Sequence, residues 1–244
     1  MKKYSGQDFY DDPTVFKKYL QHRQRIESPN ETIEKPIILE LTQTIQGDVL
    51  DLGCGYGDLS VDLIDQGIHH YTGIDASDNM IRLALSQFAS PVTTFLRANI
   101  EEWAFPHKSF DWVISRLVFH YLDDLDQLFN QLHHTLREKG QLVFSVEHPL
   151  ITSSMHLPVK NEEKKEWVVD QYFELGRRSQ KWMDGLVIKY HRSLEEYWRL
   201  LTKNGFQVKE IREGCPLAKH FSSEEEYEKR KKIPRFLIVK ANKV

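Results

Sequence analysis

Residues 49–57 read Val-Leu-Asp-Leu-Gly-Cys-Gly-Tyr-Gly, an apolar pair followed by an acidic residue and then by glycine at every second position. An amphipathic run, residues 58–67, follows directly. Glycine permits sharp turns and lets a ligand approach the backbone closely, because it carries no Cβ. The stretch therefore predicts a buried strand over 48–52, a tight loop, and a helix over 58–66 whose first amide groups have no partner within the helix.

The spacing of these glycines indicates the kind of ligand. Turns that bind dinucleotides read Gly-x-Gly-x-x-Gly, because the pyrophosphate lies at the helix N-terminus. Here the pattern is Asp51-x-Gly53-x-Gly55-x-Gly57, and Asp58 occupies the position of the last glycine of a dinucleotide turn. A carboxylate there would repel a diphosphate but would tolerate a cationic or zwitterionic ligand. The loop therefore favours a ligand that carries positive charge.

The string from Asp51 to Gly57 resembles the first motif of the class I S-adenosylmethionine (SAM)-dependent methyltransferases. The resemblance implies that Asp51 helps to hold the ammonium group of SAM. It also implies that the methionine part of the cofactor lies against the loop residues Gly53, Cys54, Gly55 and Gly57. The alternative is a strand, turn and helix without a ligand, but three alternating glycines are costly for a plain connection.

Two later strings resemble the same family. Residues 75–80, Asp-Ala-Ser-Asp-Asn-Met, look like its second motif. Asp75 ends a predicted strand, and a carboxylate in that position can accept both hydroxyls of a ribose. After the next strand the family usually has Asp and an apolar residue, where this chain has Asn and Ile. The resemblance implies that the adenine lies near Ala76, Met80, Asn99 and Ile100.

Residues 110–121 resemble the fourth motif of the family. Ligands of open α/β sheets lie outside the carboxyl ends of the strands, so we expect Ser115, Arg116 and His120 to face the cofactor. Enzymes that methylate the exocyclic amino groups of nucleic-acid bases carry Asn/Asp-Pro-Pro-aromatic at this point. Residues 115–117 read Ser-Arg-Leu instead, which argues against that class.

Strand and helix patterns alternate along most of the chain. Predicted strands cover 48–52, 71–75, 92–96, 110–115, 141–146, 206–212 and 236–240. Predicted helices cover 31–45, 58–66, 78–88, 124–138, 193–203 and 224–232, with Ser77 as a cap and Gly140 as a stop. This alternation predicts an α/β fold, a Rossmann-like doubly wound parallel sheet. The family resemblance adds that the sheet has seven strands, the last of them antiparallel.

Two segments depart from this alternation. Residues 1–29 contain several aromatic side chains and predict one or two short helices. Residues 149–191 follow the fifth strand and combine the charged run 161–166 with Trp167, Tyr172, Phe173 and Trp182. We expect both segments to form a cap over the acceptor within a single domain, 1–244.

Three histidines are candidate catalytic residues: His120, His148 and His191. Methyl transfer needs a general base only if the acceptor must lose a proton. The strings Glu147-His148-Pro149 and His191-Arg192-Ser193 resemble a group of bacterial methyltransferases without an assigned substrate, which carry Glu-His-Pro and a later His-Arg-Thr. We therefore expect His148 or His191, rather than His120, to contact the acceptor. The alternative for each is a hydrogen-bonded structural histidine.

Composition limits the setting of this chemistry. The 244 residues are 40% apolar and 28% charged, with a net charge of −3, as in soluble globular proteins. That charge gives no reason to expect a nucleic-acid partner. No apolar run suits a signal peptide or a membrane span. Cys54 and Cys215 are expected to be reduced, which indicates a cytoplasmic protein.

The sequence predicts a SAM-dependent methyltransferase with a small organic acceptor. Two alternatives stay open: a non-catalytic SAM-binding module, and a nicotinamide oxidoreductase that Asp75 would suit but the glycine spacing does not. No metal site is expected. For the adjacent pairs His69-His70 and His133-His134 a structural role is favoured, and His133 and His134 cannot share a metal because neighbouring residues on a helix point in different directions. The sequence leaves the oligomeric state open.

Overall fold

The computed structural model describes residues 3–4, 10–23, 28–153, 169–182 and 185–244. Strands within these ranges are β1 (Lys3–Tyr4), β2 (Asp48–Leu52), β3 (His70–Asp75), β4 (Thr93–Arg97), β5 (Phe110–Arg116), β6 (Leu136–Glu147), β7 (Gly176–Trp182), β8 (Gly185–His191), β9 (Phe206–Arg212) and β10 (Phe236–Lys243). Helices are α1 (Pro13–Arg23), α2 (Lys35–Leu41), α3 (Leu59–Asp65), α4 (Asp78–Phe88), α5 (Leu125–Thr135), α6 (Pro149–Ser153), α7 (Leu194–Lys203) and α8 (Glu224–Lys231).

Seven of the strands form the central sheet, in the order β4-β3-β2-β5-β6-β10-β9. Pairs among β2 to β6 are parallel, whereas β10 is antiparallel to both β6 and β9. The predicted Rossmann-like sheet of seven strands with an antiparallel last strand is therefore confirmed. The strand order reverses between β2 and β5, which is where sheets of this kind open a crevice for ligands.

Helices cover both faces of the sheet, which explains the continuous apolar runs of its strands. Val49 and Leu50 are both fully buried, and they belong to different core clusters because successive side chains point to opposite faces. On one face the strands pack against α5 and α7, through residues such as Phe129 and Leu200. On the other they pack against α2, α3 and α4.

One predicted helix end is wrong. The pattern predicted a helix over 124–138 with Gly140 as its stop, but α5 ends at Thr135 and β6 begins directly after it. Leu136 is fully buried and already pairs with β5. Arg137 extends to ion pairs with aspartates of β2 and β5. Tertiary contacts therefore decide this boundary, and Gly140 lies inside a strand.

The predicted helix over 31–45 is also divided. A π-helical turn, Asn30–Glu34, precedes α2, which ends at Leu41. Pro36 lies in the first turn of α2, where its missing amide proton is not needed. This segment places Glu34 beneath the carboxyl ends of the central strands, a position that matters for the site.

A second sheet lies in the segments that were expected to form the cap. It has the order β1-β8-β7, with β8 paired parallel to β1 and antiparallel to β7. Hydrogen bonds thus join the N-terminal segment to the insertion 149–191. The charged run 161–166 and Trp167 lie outside the described residues. None of the helices in the described ranges is long and apolar enough to cross a bilayer.

Candidate active site

The candidate site is a cavity of about 580 Å³ at the carboxyl ends of the central strands, a size typical of small-molecule sites. The cavity wall has two parts, the glycine half and the histidine half, which come from different elements of the fold. The glycine half follows β2, β3 and β4, and includes Asp51, Gly53, Gly55, Asp75, Asn99 and Ile100. The histidine half comes from elements spread over the chain, and includes Tyr10, His120, Glu147, Tyr190, Arg230 and Arg235.

The glycine loop turns through three residues in the left-handed region, with φ of +71° at Gly53, +56° at Gly55 and +82° at Gly57. A Cβ on Gly53 would lie 2.3 Å from Val118, and one on Gly57 would lie 2.6 Å from Phe95. A Cβ on Gly55 would meet nothing within 4 Å. Gly53 and Gly57 are thus required by packing, and Gly55 borders open space in the cavity.

Asp75 ties the end of β3 to this loop. One carboxylate oxygen accepts the amide N–H of Gly55 at 2.9 Å, and the other accepts that of Ser77 at 2.8 Å. Burial raises the pKa of Asp75 to about 6 in spite of these hydrogen bonds. Ser77 in turn caps α4 by accepting from the amide of Met80, as the sequence predicted.

Asp51 is buried at the end of β2, and only one of its oxygens is engaged. Oδ2 accepts the hydroxyl of Tyr71 at 2.6 Å, whereas Oδ1 has no hydrogen-bond partner among the described residues. Burial raises the pKa of Asp51 to about 7, although Tyr71 and Arg116 lower it. A cation beside this carboxylate would supply the missing contact and favour its ionised form.

Arg116, at the end of β5, lines the cavity, but its guanidinium group is paired with acidic side chains of the protein itself. Its Nη2 lies 2.6 Å from Oε2 of Glu34, which is fully buried, and its Nη1 is 3.9 Å from Asp58. The Oγ of Ser145 donates to the other oxygen of Glu34 at 2.6 Å. Burial opposes the charge of Arg116, yet Glu34 raises its pKa above the ordinary value. Arg116 therefore clamps the π-helical turn to the sheet.

The remaining predicted cofactor residues divide into two groups. Ser115 is fully buried, and its hydroxyl donates to the carbonyl of Leu52 at 2.9 Å, so that it lies behind the cavity wall rather than in it. The Oδ1 of Asn99 accepts the amide of Glu101 at 3.1 Å. Those that line the cavity together with Asn99 are Cys54, Ala76, Met80 and Ile100.

His148 and His191, the two histidines expected at the acceptor, do not line the cavity. The Nε2 of His148 lies 2.9 Å from a carboxylate oxygen of Glu213. His191 is fully buried, with Nδ1 2.6 Å from the hydroxyl of Thr152 and Nε2 2.9 Å from the carbonyl of Tyr172. The bonds of His191 tie the end of the β7–β8 hairpin to Thr152 of α6 and to Tyr172, and the bond of His148 ties the end of β6 to the segment after β9.

His120 is the candidate histidine that lines the cavity. Its Nδ1 accepts the amide N–H of Glu147 at 3.3 Å, so the proton of the neutral ring resides on Nε2. Burial lowers the pKa of His120 to about 3, although Glu147 raises it. The ring is therefore neutral at physiological pH and offers a hydrogen-bond donor, not a free basic nitrogen.

A buried ion pair supports the histidine half. Lys189 of β8 is 2% exposed, and its Nζ lies 2.6 Å from Oε1 of Glu147 and 2.6 Å from Oε1 of Gln180. Burial opposes both charges, but each partner favours the other, so the pKa of Glu147 is lowered and that of Lys189 is raised. The hydroxyl of Tyr121 forms hydrogen bonds with Lys189 of β8 and with Tyr10. Tyr121 therefore connects β8 to the N-terminal segment.

Several residues of the cavity wall escaped sequence reasoning. Glu147 ends β6, Arg230 lies in α8, and Arg235 precedes β10. No local motif assigns these side chains to the site, because only the tertiary fold brings them together. Leu117 was also missed; its φ of +59° is unusual for a residue with a Cβ, and it too borders the cavity.

Comparisons with known proteins agree with this geometry. Residues 49–140 match a methyltransferase domain family. A Haemophilus influenzae protein, described as uncharacterized, is 30% identical and is covered over 96% of both chains. A Listeria monocytogenes protein provisionally described as a SAM-dependent methyltransferase is 31% identical, with a TM-score of 0.76 over 84% of this chain and 95% of that one.

A Mesorhizobium loti SAM-dependent methyltransferase is 28% identical, with a TM-score of 0.78 over 91% of this chain and 99% of that one. Such coverage extends well beyond the glycine loop. The sequence similarity and the strand order therefore point to the same family. The chain belongs to the SAM-dependent methyltransferases.

Proposed function

We propose that this methyltransferase acts on a small organic acceptor bound in the histidine half of the cavity. The observation that carries the proposal is that one cavity runs from the glycine loop to His120, Glu147 and Arg235. The N-terminal segment and the β7–β8 hairpin contribute Tyr10 and Tyr190 to its wall. Such a lined cavity suits a small molecule better than a folded macromolecule.

The glycine half fits SAM. We assign the cofactor ammonium to Asp51, whose Oδ1 has no other partner among the described residues. We assign the ribose hydroxyls to Asp75 and the adenine to the surroundings of Asn99, with Ala76, Met80 and Ile100. The open space beside Gly55 leaves room for the cofactor against the loop.

When bound, SAM supplies a methyl group on a positively charged sulfur; a lone pair of the acceptor forms the new bond to carbon while the carbon–sulfur bond breaks and leaves a thioether. The chain's own contribution is alignment and exclusion of water. Alignment of two reactants can supply about 7–11 kcal/mol of the barrier. Tyr10, Tyr121 and Tyr190 line the cavity with aromatic surface that keeps water from competing with the acceptor.

We further infer that the acceptor does not depend on a histidine base. His120 lines the cavity, and its neutral ring carries the proton on Nε2, because Nδ1 accepts from the amide of Glu147. A base at Nε2 would need the other tautomer, which would leave that amide without its acceptor. The acceptor nucleophile is therefore one with an available lone pair, such as a neutral amine or a carboxylate, and His120 orients it as a donor.

The compartment and the partners are part of the same proposal. Cys54 and Cys215 are both free thiols, which suits a reducing cytoplasm. The net charge of −3 gives no positive field that would collect nucleic acid. We therefore expect the acceptor to be a cytoplasmic metabolite.

Two measurements test this function. Calorimetry should show binding of SAM and of its demethylated product, S-adenosylhomocysteine (SAH), and no binding of NAD. Asp75→Ala should weaken SAH binding about 10- to 100-fold, because hydrogen bonds to a carboxylate are lost. Asp65→Asn, an exposed carboxylate at the end of α3, is the matched control and should change nothing.

The acceptor itself is found by mass spectrometry of a cell extract incubated with methyl-labelled SAM and the protein. A labelled small molecule is expected, and its yield should fall with Asp75→Ala but not with Asp65→Asn. Label found only in protein or nucleic acid would contradict a small acceptor. SAH binding without any labelled product would instead favour a non-catalytic SAM-binding module.

A further inference from the structure

Two arginines in the histidine half leave guanidinium donors without an acceptor among the described residues. Arg235, just before β10, and Arg230 of α8 both line the cavity. The guanidinium of Arg235 makes no hydrogen bond or ion pair with any residue in the described ranges; its backbone carbonyl accepts from His148. The Nε of Arg230 is buried without a partner among them, and its Nη2 is 3.5 Å from Glu226.

The surroundings leave an excess of positive charge at this point. Burial lowers the pKa of Arg235, and the neighbouring charge of Arg230 lowers it further. Glu147 is the acid that acts on Arg235, but its Oε1 already accepts from Lys189 at 2.6 Å. Lys189 and Arg235 thus share the carboxylate of Glu147, and the adjacent Arg230 has Glu226 as its ion-pair partner at 3.5 Å. Unpaired charge in such a place is unfavourable unless a ligand compensates for it.

We infer that Arg235 and Arg230 form a subsite for an oxyanion, a carboxylate or a phosphate group carried by the methyl acceptor. The inference rests on the proposed function and names the class of acceptor: a small organic anion. Guanidinium groups present donors in a fork that matches carboxylate and phosphate oxygens. The donor at Nε2 of His120 lies in the same half of the cavity and adds a third contact for an oxygen-bearing acceptor.

The carboxylate of SAM itself is the other source of an oxyanion, and the sheet geometry disfavours it. The ammonium and the carboxylate of SAM are attached to the same carbon, and the ammonium is assigned to Asp51 on β2. Arg235 comes directly before β10, and β10 lies three strands from β2 in the order β2-β5-β6-β10. At about 4.8 Å for each strand the two backbones are about 14 Å apart, so Arg235 would reach a carboxylate held beside Asp51 only with its side chain fully extended toward β2.

The test uses the full-length protein saturated with SAH and titrated with benzoate, succinate and inorganic phosphate at constant ionic strength. At least one of these anions should bind to the wild-type complex, as followed by calorimetry and by NMR shifts. Arg235→Gln and Arg230→Gln should each weaken that binding about 10- to 100-fold. Arg199→Gln removes an exposed guanidinium paired with Glu196 and should leave the affinity unchanged.

Equal anion affinity in wild type and Arg235→Gln, or no anion binding to a complex that holds SAH well, would overturn the inference and leave the proposed function standing. A third result would also overturn the inference: Arg235→Gln weakens the binding of SAH but not that of decarboxylated SAH. The subsite would then hold the carboxylate of the cofactor. Failure of the wild type to bind SAH would instead remove the proposed function. SAH affinity also reports whether each variant is folded.

Discussion

The two halves of the cavity are built in different ways. The glycine half is formed by three successive strand ends between residues 51 and 100, and much of it is backbone: the amides of Gly53 and Cys54 both donate to the carbonyl of Ile74. The histidine half is formed by side chains drawn from positions as distant as Tyr10 and Arg235. On the proposed assignment, cofactor recognition is thus local and depends on backbone geometry, whereas acceptor recognition depends on long-range packing of side chains.

The largest loss of stability is expected when the buried ion pair of the histidine half, Lys189 with Glu147, is broken. Lys189→Met should lower the free energy of unfolding by about 3 kcal/mol, because it leaves the carboxylate of Glu147 without its cation. This value is at the lower end of the stability losses expected when a buried ion pair is broken, because the side chain of Glu147 is 20% exposed. Urea titration of the variant measures the change.

The double variant Lys189→Met with Glu147→Gln is the control for that prediction. It removes both charges and should recover most of the lost stability. If Lys189→Met were as stable as the wild type, the histidine half would not depend on the pair, and the contrast between the two halves would weaken.

A single methyl group added to the glycine loop should impair the glycine half, through lower stability at one position and through weaker SAH binding at another. Gly53→Ala should lower the free energy of unfolding by about 2 kcal/mol or more, because its Cβ meets Val118 in a left-handed backbone. Gly55→Ala carries a similar backbone strain but has no neighbour within 4 Å. It should cost about 1 kcal/mol of stability and instead reduce SAH affinity.

Urea titration and SAH calorimetry on both variants separate the two effects. Gly67→Ala serves as the reference, because its φ is +94° with nothing within 4 Å and it lies outside the cavity. SAH affinity in Gly55→Ala equal to that in Gly67→Ala would mean that the ligand does not approach Gly55.

Cofactor binding should depend on pH through Asp51. Burial raises its pKa to about 7 from an ordinary value near 4, so the free protein holds a proton there that the unfolded chain has lost. That contribution to stability is present below about pH 4 and is lost as the pH rises through about 7. An ammonium ligand needs the carboxylate, so SAH affinity should fall by up to about tenfold for each pH unit below 7 and level off above it.

Calorimetry between about pH 6 and 7 isolates this group, because Asp75 has a pKa of about 6 and contributes mainly below that range. Asp51→Asn keeps an acceptor for Tyr71 and should flatten the pH dependence. A wild-type affinity that does not change in this window would argue against ammonium binding at Asp51.

The smallest effect is expected for a histidine outside the cavity. His148→Gln should change turnover less than about threefold and stability by less than about 1 kcal/mol, because its partner Glu213 is largely exposed. His120→Gln should reduce turnover far more, with SAH affinity intact, since it removes the donor from the histidine half. The labelled product, once identified, is the substrate for this comparison.

A reversed result, with His148→Gln inactive and His120→Gln active, would restore the expectation made from the Glu-His-Pro string. His191→Gln is a test of structure rather than of chemistry. Its ring makes two buried hydrogen bonds, so the variant should lose about 1–3 kcal/mol of stability.

Prediction from the sequence was accurate where residues act through neighbours in the chain. Ser77 was expected to cap α4, and its hydroxyl accepts from Met80, because a cap depends only on the residues that follow it. Gly140 was expected to end a helix, and it lies in β6 instead. There the burial of Leu136 against β5 outweighed the local signal.

The sequence alone determined the family, the glycine loop and the seven strands of the central sheet, because glycine conformation, capping and apolar periodicity are properties of short segments. Tertiary structure alone decided which histidine lines the cavity, how Arg235 comes to lie in the same wall, and how Glu34 reaches Arg116 from a separate helical turn. Those contacts join residues far apart in the chain, and their energies depend on burial that no short segment can establish by itself.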